Sequence, residues 1–119
     1  MGSLTCQQLK DLCLSLPQSR EDHPFGDETT AFRHEANGKI FALLMEREGR
    51  MFLNLKCDPL RAQLLRQSYR AVRPGWHMNK EHWNSVYPNE DLDRDMLYEL
   101  IVHSFDLVKP RGRKRKMHE

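Results

Sequence analysis

The densest concentration of side chains able to do chemistry lies in residues 73–83, RPGWHMNKEHW, which hold both tryptophans of the chain and two of its six histidines. An exposed Trp76 flanked by Arg70, Arg73, His77 and Lys80 would make a stacking platform with phosphate contacts, the pattern that suits single-stranded or backbone-bound nucleic acid. The competing reading is structural. Trp83, which alternates with Tyr87, is then a core anchor. Arg73 and Lys80 would pair with carboxylates of residues 81–106, each solvated pair contributing roughly 0–1 kcal/mol. His77 and His82 lack a third His, Cys or carboxylate at a recognised ligand spacing, so no metal is expected. Hydrogen bonds that fix the turn, with Asn79 capping a helical turn over residues 80–82, are the expected role of this polar set. The pairing of Glu81 with His82 is too little for general acid–base catalysis. No nucleophile elbow, glycine-rich phosphate loop or pair of catalytic carboxylates occurs, and no enzyme is expected. An enzyme would need His23, His77 and His82 or Cys57 to converge on one pocket.

These residues must be positioned by short elements. Thr5 and Gln8 form a capping box, and Leu9, Leu12, Cys13 and Leu16 then share a helical face up to Pro17. Residues 18–28 are polar and turn-rich around HPFGDE, where Pro24-Phe25-Gly26 suits either a tight turn or a cleft lining. From Thr29 the period changes to two. TTAFRHE, KIFALLME and RMFLNLK are three strands of an antiparallel meander, separated by Asn37-Gly38 and Glu48-Gly49. In the third, Met51, Leu53 and Leu55 oppose Phe52, Asn54 and Lys56, which predicts one packed face and one partly wet face. Asp58-Pro59 opens a second helix with Leu60, Leu64 and Leu65 as its apolar stripe, ending near Gln67 or Ser68. YRAVRP suits a brief extended segment and HWNSVYP a further strand, so one or two strands follow the second helix. Asp93 caps a last helix in which Leu97, Leu100, Ile101, Ser104, Phe105 and Val108 recur at helical spacing. The order predicts an α+β fold: a two-layer sandwich in which a twisted antiparallel sheet carries the N- and C-terminal helices on one face.

The 119 residues suit one domain over residues 1–108, followed by a basic tail over 109–119 that is expected to be disordered. No apolar run is long enough to span a bilayer, and no leader pattern is seen, so a cytoplasmic monomer without a membrane is expected. Cys6, Cys13 and Cys57 form no paired motif, and reduced thiols are expected. Cys57 adjoins an N-cap and is expected to be a plain junction residue; a thiol whose pKa is lowered by the helix dipole is the alternative. Of 19 basic and 17 acidic residues, the tail takes six and one, leaving the body with 13 against 16. Residues 47–80 hold eight basic and two acidic side chains, and residues 81–106 hold one and seven. That asymmetry allows a positive face on an acidic body.

HPFGDET, GKIFALL, LNLKCDP and VRPGWHMNKEHWNSV, in this order and spacing, resemble the signatures of the MmcQ/YjbR family over residues 4–109. The resemblance implies a CyaY-like, frataxin-like fold and a DNA-binding role. Trp76 stands where tyrosine is commoner, and the basic tail extends past the family's usual end. Frataxin-type iron binding is not implied for this chain, because its first helix offers only Asp11, with Glu21 and Asp22 after it.

The expected function is weak, sequence-independent binding of DNA backbone. Arg61, Arg66, Arg70, Arg73, Trp76, His77 and Lys80 would supply the body's contacts, and Arg113, Lys114, Arg115 and Lys116 those of the tail. No cofactor is expected. The alternative is a small interaction or ligand-binding protein whose wet sheet face receives a peptide, partner or metabolite.

Overall fold

A computed structural model describes residues 3–110 of the chain; the tail cations Arg113, Lys114, Arg115 and Lys116 lie outside them. The elements are α1 (Cys6–Leu14), β1 (Ser19–Asp22), β2 (Thr30–His34), β3 (Ile40–Arg47), β4 (Arg50–Lys56), α2 (Pro59–Ser68), β5 (Val72–Pro74), β6 (Trp83–Val86) and α3 (Arg94–Val108). All strands pair antiparallel in one sheet of order β1-β2-β3-β4-β6-β5. The α+β sandwich expected from the sequence is thus present, with six strands where four or five were expected.

Local chemistry explains the boundaries. The Thr5 and Gln8 capping box starts α1, and Asp58 with Pro59 starts α2. Asp93 accepts from the Met96 N–H to start α3. Glu48 and Gly49, both at positive φ, turn β3 directly into β4 and set Arg47 opposite Arg50.

Leu9, Cys13, Phe32, Phe41, Leu53, Leu55, Ala62, Leu65, Leu97, Ile101 and Phe105 belong to one core, so all three helices cover the same face of the sheet. Ser104 threads a buried polar link through it: its hydroxyl donates to the Phe41 carbonyl at 2.6 Å and accepts from the Lys56 N–H at 2.8 Å. Both partners of every such bond stay satisfied, which avoids a desolvation cost of about 1–3 kcal/mol.

Three expectations are corrected. Residues 18–28 contain β1, whose sequence SRED carries no apolar period; pairing with β2 makes it a strand, and Lys10 reaches Glu21 at 3.6 Å. The stripe of α2 is Ala62 and Leu65, whereas Leu60 and Leu64 are 68% and 55% exposed. Finally, the second face of β4 is not wet: Phe52 and Asn54 are fully buried beneath residues 75–79. As expected, Asn79 caps a single turn over residues 80–82: its Oδ1 accepts from the Glu81 N–H at 2.9 Å and its carbonyl from the His82 and Trp83 N–H groups at 3.2 and 3.0 Å.

Candidate functional site

The site is built on the helix-free face. Strand alternation and register place Arg20, Arg33, Arg47, Arg50, Lys56 and Arg73 on that face, together with Asp22. Glu90 reaches the same face from the segment between β6 and α3. Six cations therefore meet two carboxylates, although the body as a whole is acidic. Glu21, paired with the core residue Phe32, falls on the opposite, helix-covered side.

Three of the arginines rest on aromatic rings. The Arg47 guanidinium lies 4.9 Å from the Trp76 ring centre, and Arg50 and Arg73 lie 4.9 and 4.3 Å from that of Tyr87. Each such contact contributes roughly 0.5–1 kcal/mol and fixes the guanidinium plane. The rings are themselves fixed. Phe52 stacks on Tyr87 at 5.1 Å and meets Trp76 edge-on at 5.9 Å. Beneath them the Ser85 hydroxyl donates to Asn54 Oδ1 and accepts from the Trp76 N–H at 2.8 Å, while Asn54 Nδ2 donates to the Trp76 carbonyl at 3.1 Å.

The expected site residues divide into several roles. Arg66 donates to Asn84 Oδ1 at 2.7 Å and to the carbonyls of Lys80 and Trp83, so it braces the turn before β6. Lys80 donates to the Gly75 carbonyl at 2.9 Å from inside the same loop. Arg73 donates to both oxygens of Glu90, at 3.0 and 3.1 Å. Trp76 is half-buried, with His77 tilted against its ring at 3.9 Å. His77 is exposed and holds φ 62°, a left-handed conformation that few non-glycine residues adopt. Arg61 is half-buried on α2 and Arg70 is exposed just beyond its end. The structure therefore brings Arg73 and Trp76 onto one face with Arg47 and Arg50, and assigns Arg66 and Lys80 to holding the loop.

Arg47 and Arg50 escaped the sequence reading, which weighted the tryptophan segment. Their signal was available: residues flanking a two-residue hairpin turn face each other, and these two are both arginine. Tyr87 and Glu90 carried no comparable signal, because only the fold brings them to the hairpin.

Burial raises the Cys57 thiol pKa above its ordinary value, and Arg61 only partly opposes it. Cys57 is thus the plain junction residue, facing the core. Cys13 is pushed up to about 12 by burial. Burial and the Arg61 charge lower the His103 pKa, and its Nε2 accepts from the Asp58 N–H at 3.1 Å. Among the described residues, no group of three or more His, Cys, Asp or Glu is placed to hold a metal ion. No helix there is long and apolar enough to cross a membrane. A cleft of about 700 Å³ adjoins the arginines, lined by Asp27, Glu28, Thr29, Met45, Glu46, Glu48, Gly49 and Trp76.

A family model described as YjbR matches residues 14–107. The chain is 46% identical over 99 residues to the uncharacterized protein YbdF of Escherichia coli O157:H7, covering 83% of this chain and 80% of that one. It is 31% identical over 102 residues to the uncharacterized protein YjbR of Escherichia coli strain K12, covering 86% and 85%. A crystal structure of a Deinococcus radiodurans protein superposes with a TM-score of 0.79 at 34% identity, covering 95% of this chain and 88% of that one. A solution structure from Pseudomonas syringae gives 0.77 at 30% identity, covering 97% and 99%.

Proposed function

This chain belongs to the YjbR family, and from that premise we propose that it is a non-catalytic binding protein whose helix-free sheet face contacts the phosphate backbone of nucleic acid. The observation that supports the reading is the gathering of charge: six cations and two carboxylates share that face, with the acids Asp27, Glu28, Glu46 and Glu48 confined to the cleft at its margin. Resting on rings fixes the guanidinium planes; Arg50 and Arg73 share Glu90 as a counter-ion, and such groups suit phosphate oxygens geometrically. Such contacts read no base sequence, so the binding is non-specific and salt-dependent. It needs neither a cofactor nor a second subunit.

The test is a titration of the chain with duplex DNA at low and raised salt, beside an Arg47→Ala/Arg50→Ala variant and a form lacking residues 111–119. Affinity is expected to fall steeply with salt and to drop in both variants. Equal affinity at the two salt concentrations would overturn the reading.

A second reading is favoured by the neighbouring cleft, whose volume lies in the range of small-molecule sites. Its four carboxylates and the Trp76 ring suit a ligand with a cationic group. Resonances of Thr29 and Met45 moving with a small amine, while Arg47 and Arg50 stay unmoved by DNA, would favour this second reading.

A further inference from the structure

We propose that Arg50 and Arg73 form an oxyanion seat, occupied by the chain's own Glu90, and that a phosphate group takes Glu90's place when an anion binds. The proposal deepens the phosphate-binding reading of this face by naming the seat and the group that guards it.

The seat is built from fixed parts. Both guanidiniums lie over Tyr87, which is buried and stacked on Phe52. Arg73 is also held by its Nε, which donates to the Arg70 carbonyl at 3.0 Å. Between the two guanidiniums sits one carboxylate: both Glu90 oxygens accept from Arg73 Nη2, and Glu90 is also ion-paired with Arg50. A carboxylate and a phosphate present the same pair of oxygens to such a fork, so the occupant defines the ligand class. Its side chain is 15% exposed, against 50% and 43% for Arg50 and Arg73. The cations thus face solvent while their counter-ion lies behind them.

Glu90 also has somewhere to go. It lines a cleft of about 430 Å³ whose charged lining is otherwise one cation and one acid, Arg94 and Asp93. Another cleft, of about 470 Å³, adjoins it but is lined by Asp91, Asp93, Asp95 and Glu99, which repel a displaced carboxylate. The route towards Arg94 is the one that charge favours. Displacement would free two cations for an incoming anion, so Glu90 weakens the face and sets a threshold for binding.

The full-length chain and its Glu90→Gln variant are titrated with inorganic phosphate, followed by NMR of the arginine Nε–H groups, and with duplex DNA at two salt concentrations. The variant keeps the side-chain volume and removes the charge. It is expected to bind phosphate about tenfold more tightly, with Arg50 and Arg73 shifting together, and the slope of DNA affinity against salt should steepen by about one to two phosphate contacts. Phosphate affinity that is unchanged or lower in a folded variant overturns the proposal and leaves Glu90 as a strut. Should the variant misfold, the wild-type chain decides: phosphate must shift Arg50 and Arg73 and the Glu90 carboxyl carbon, and shifts confined to other arginines overturn the seat. Tighter phosphate binding without DNA binding in either form supports the seat while refuting the nucleic-acid reading.

Discussion

At the scale of single residues, the loop that carries Trp76 depends on Gly75. Its φ is ordinary; what matters is space. A Cβ at this position would stand 2.8 Å from the Trp83 Cβ and 2.9 Å from the Trp83 carbonyl oxygen, neither of which can yield without moving β6. Gly75→Ala is therefore expected to lower stability by about 1–3 kcal/mol, read by denaturant unfolding, and to perturb Trp76 fluorescence. Stability within experimental error of wild type would contradict this packing. The half-exposed Trp76 and the Arg73 contact with an acidic segment were both legible in the sequence. Lys80 was not, because it turns back to the Gly75 carbonyl, an interaction that no spacing rule announces.

At the scale of elements, α2 was placed correctly by its Asp58-Pro59 start but its face was misread. Leu60 and Leu64 satisfy helical spacing, yet the helix sits at the sheet margin and turns Ala62 and Leu65 inward. Replacing Leu60 or Leu64 with Gln should change stability by less than about 0.5 kcal/mol, whereas Leu65→Ala should cost about 2–5 kcal/mol. Thermal denaturation of the three variants checks the assignment. The N-terminus of α2 is also tied to α3 by the bond from the Asp58 N–H to His103, a bond that requires a neutral imidazole. His103 is lowered from its ordinary value of 6.5 by burial and then by Arg61, against the smaller pull of Asp58 and Asp106. The folded state thus holds fewer protons than the unfolded one. Its contribution is complete above 6.5 and is lost as pH falls through the lowered value. Wild-type melting temperature should fall across that window more steeply than that of His103→Gln; parallel profiles would remove the latch. The strand β1 shows the opposite lesson: SRED has no period to read, and only the neighbouring strand and the Asp22 contact with Arg33 at 2.9 Å give it a place.

At the scale of the whole molecule, the sequence disclosed that charge was unevenly divided but not where it would gather. The cationic run over residues 47–80 spans a hairpin, a helix and a strand, and folding sends its members to both sides of the sheet. Strand members converge with Arg20 and Arg33 from distant positions; Arg66 turns to the helix side. Alternation within each strand was readable, whereas the strand order that sets β4 beside β6 was not. If Arg47, Arg50 and Arg73 each neutralise one phosphate, DNA affinity should drop about 40-fold for a fourfold rise in salt, from a slope of about −0.9 per contact.

The far end of α3 adds a ruler to this arrangement. Asn37 Nδ2 donates to the Val108 carbonyl at 2.8 Å, which pins the helix terminus to the β2–β3 turn. Arg47 lies at the other end of β3, eight residues along, or about 25 Å at the usual strand rise. Whatever follows Pro110 is thus tethered a fixed stride from the hairpin, roughly seven base pairs of duplex at two charges per 3.4 Å. Under the proposed phosphate-binding reading, cations at the hairpin and beyond Pro110 would engage one duplex by avidity, and oligonucleotides shorter than the stride are expected to bind more weakly than longer ones.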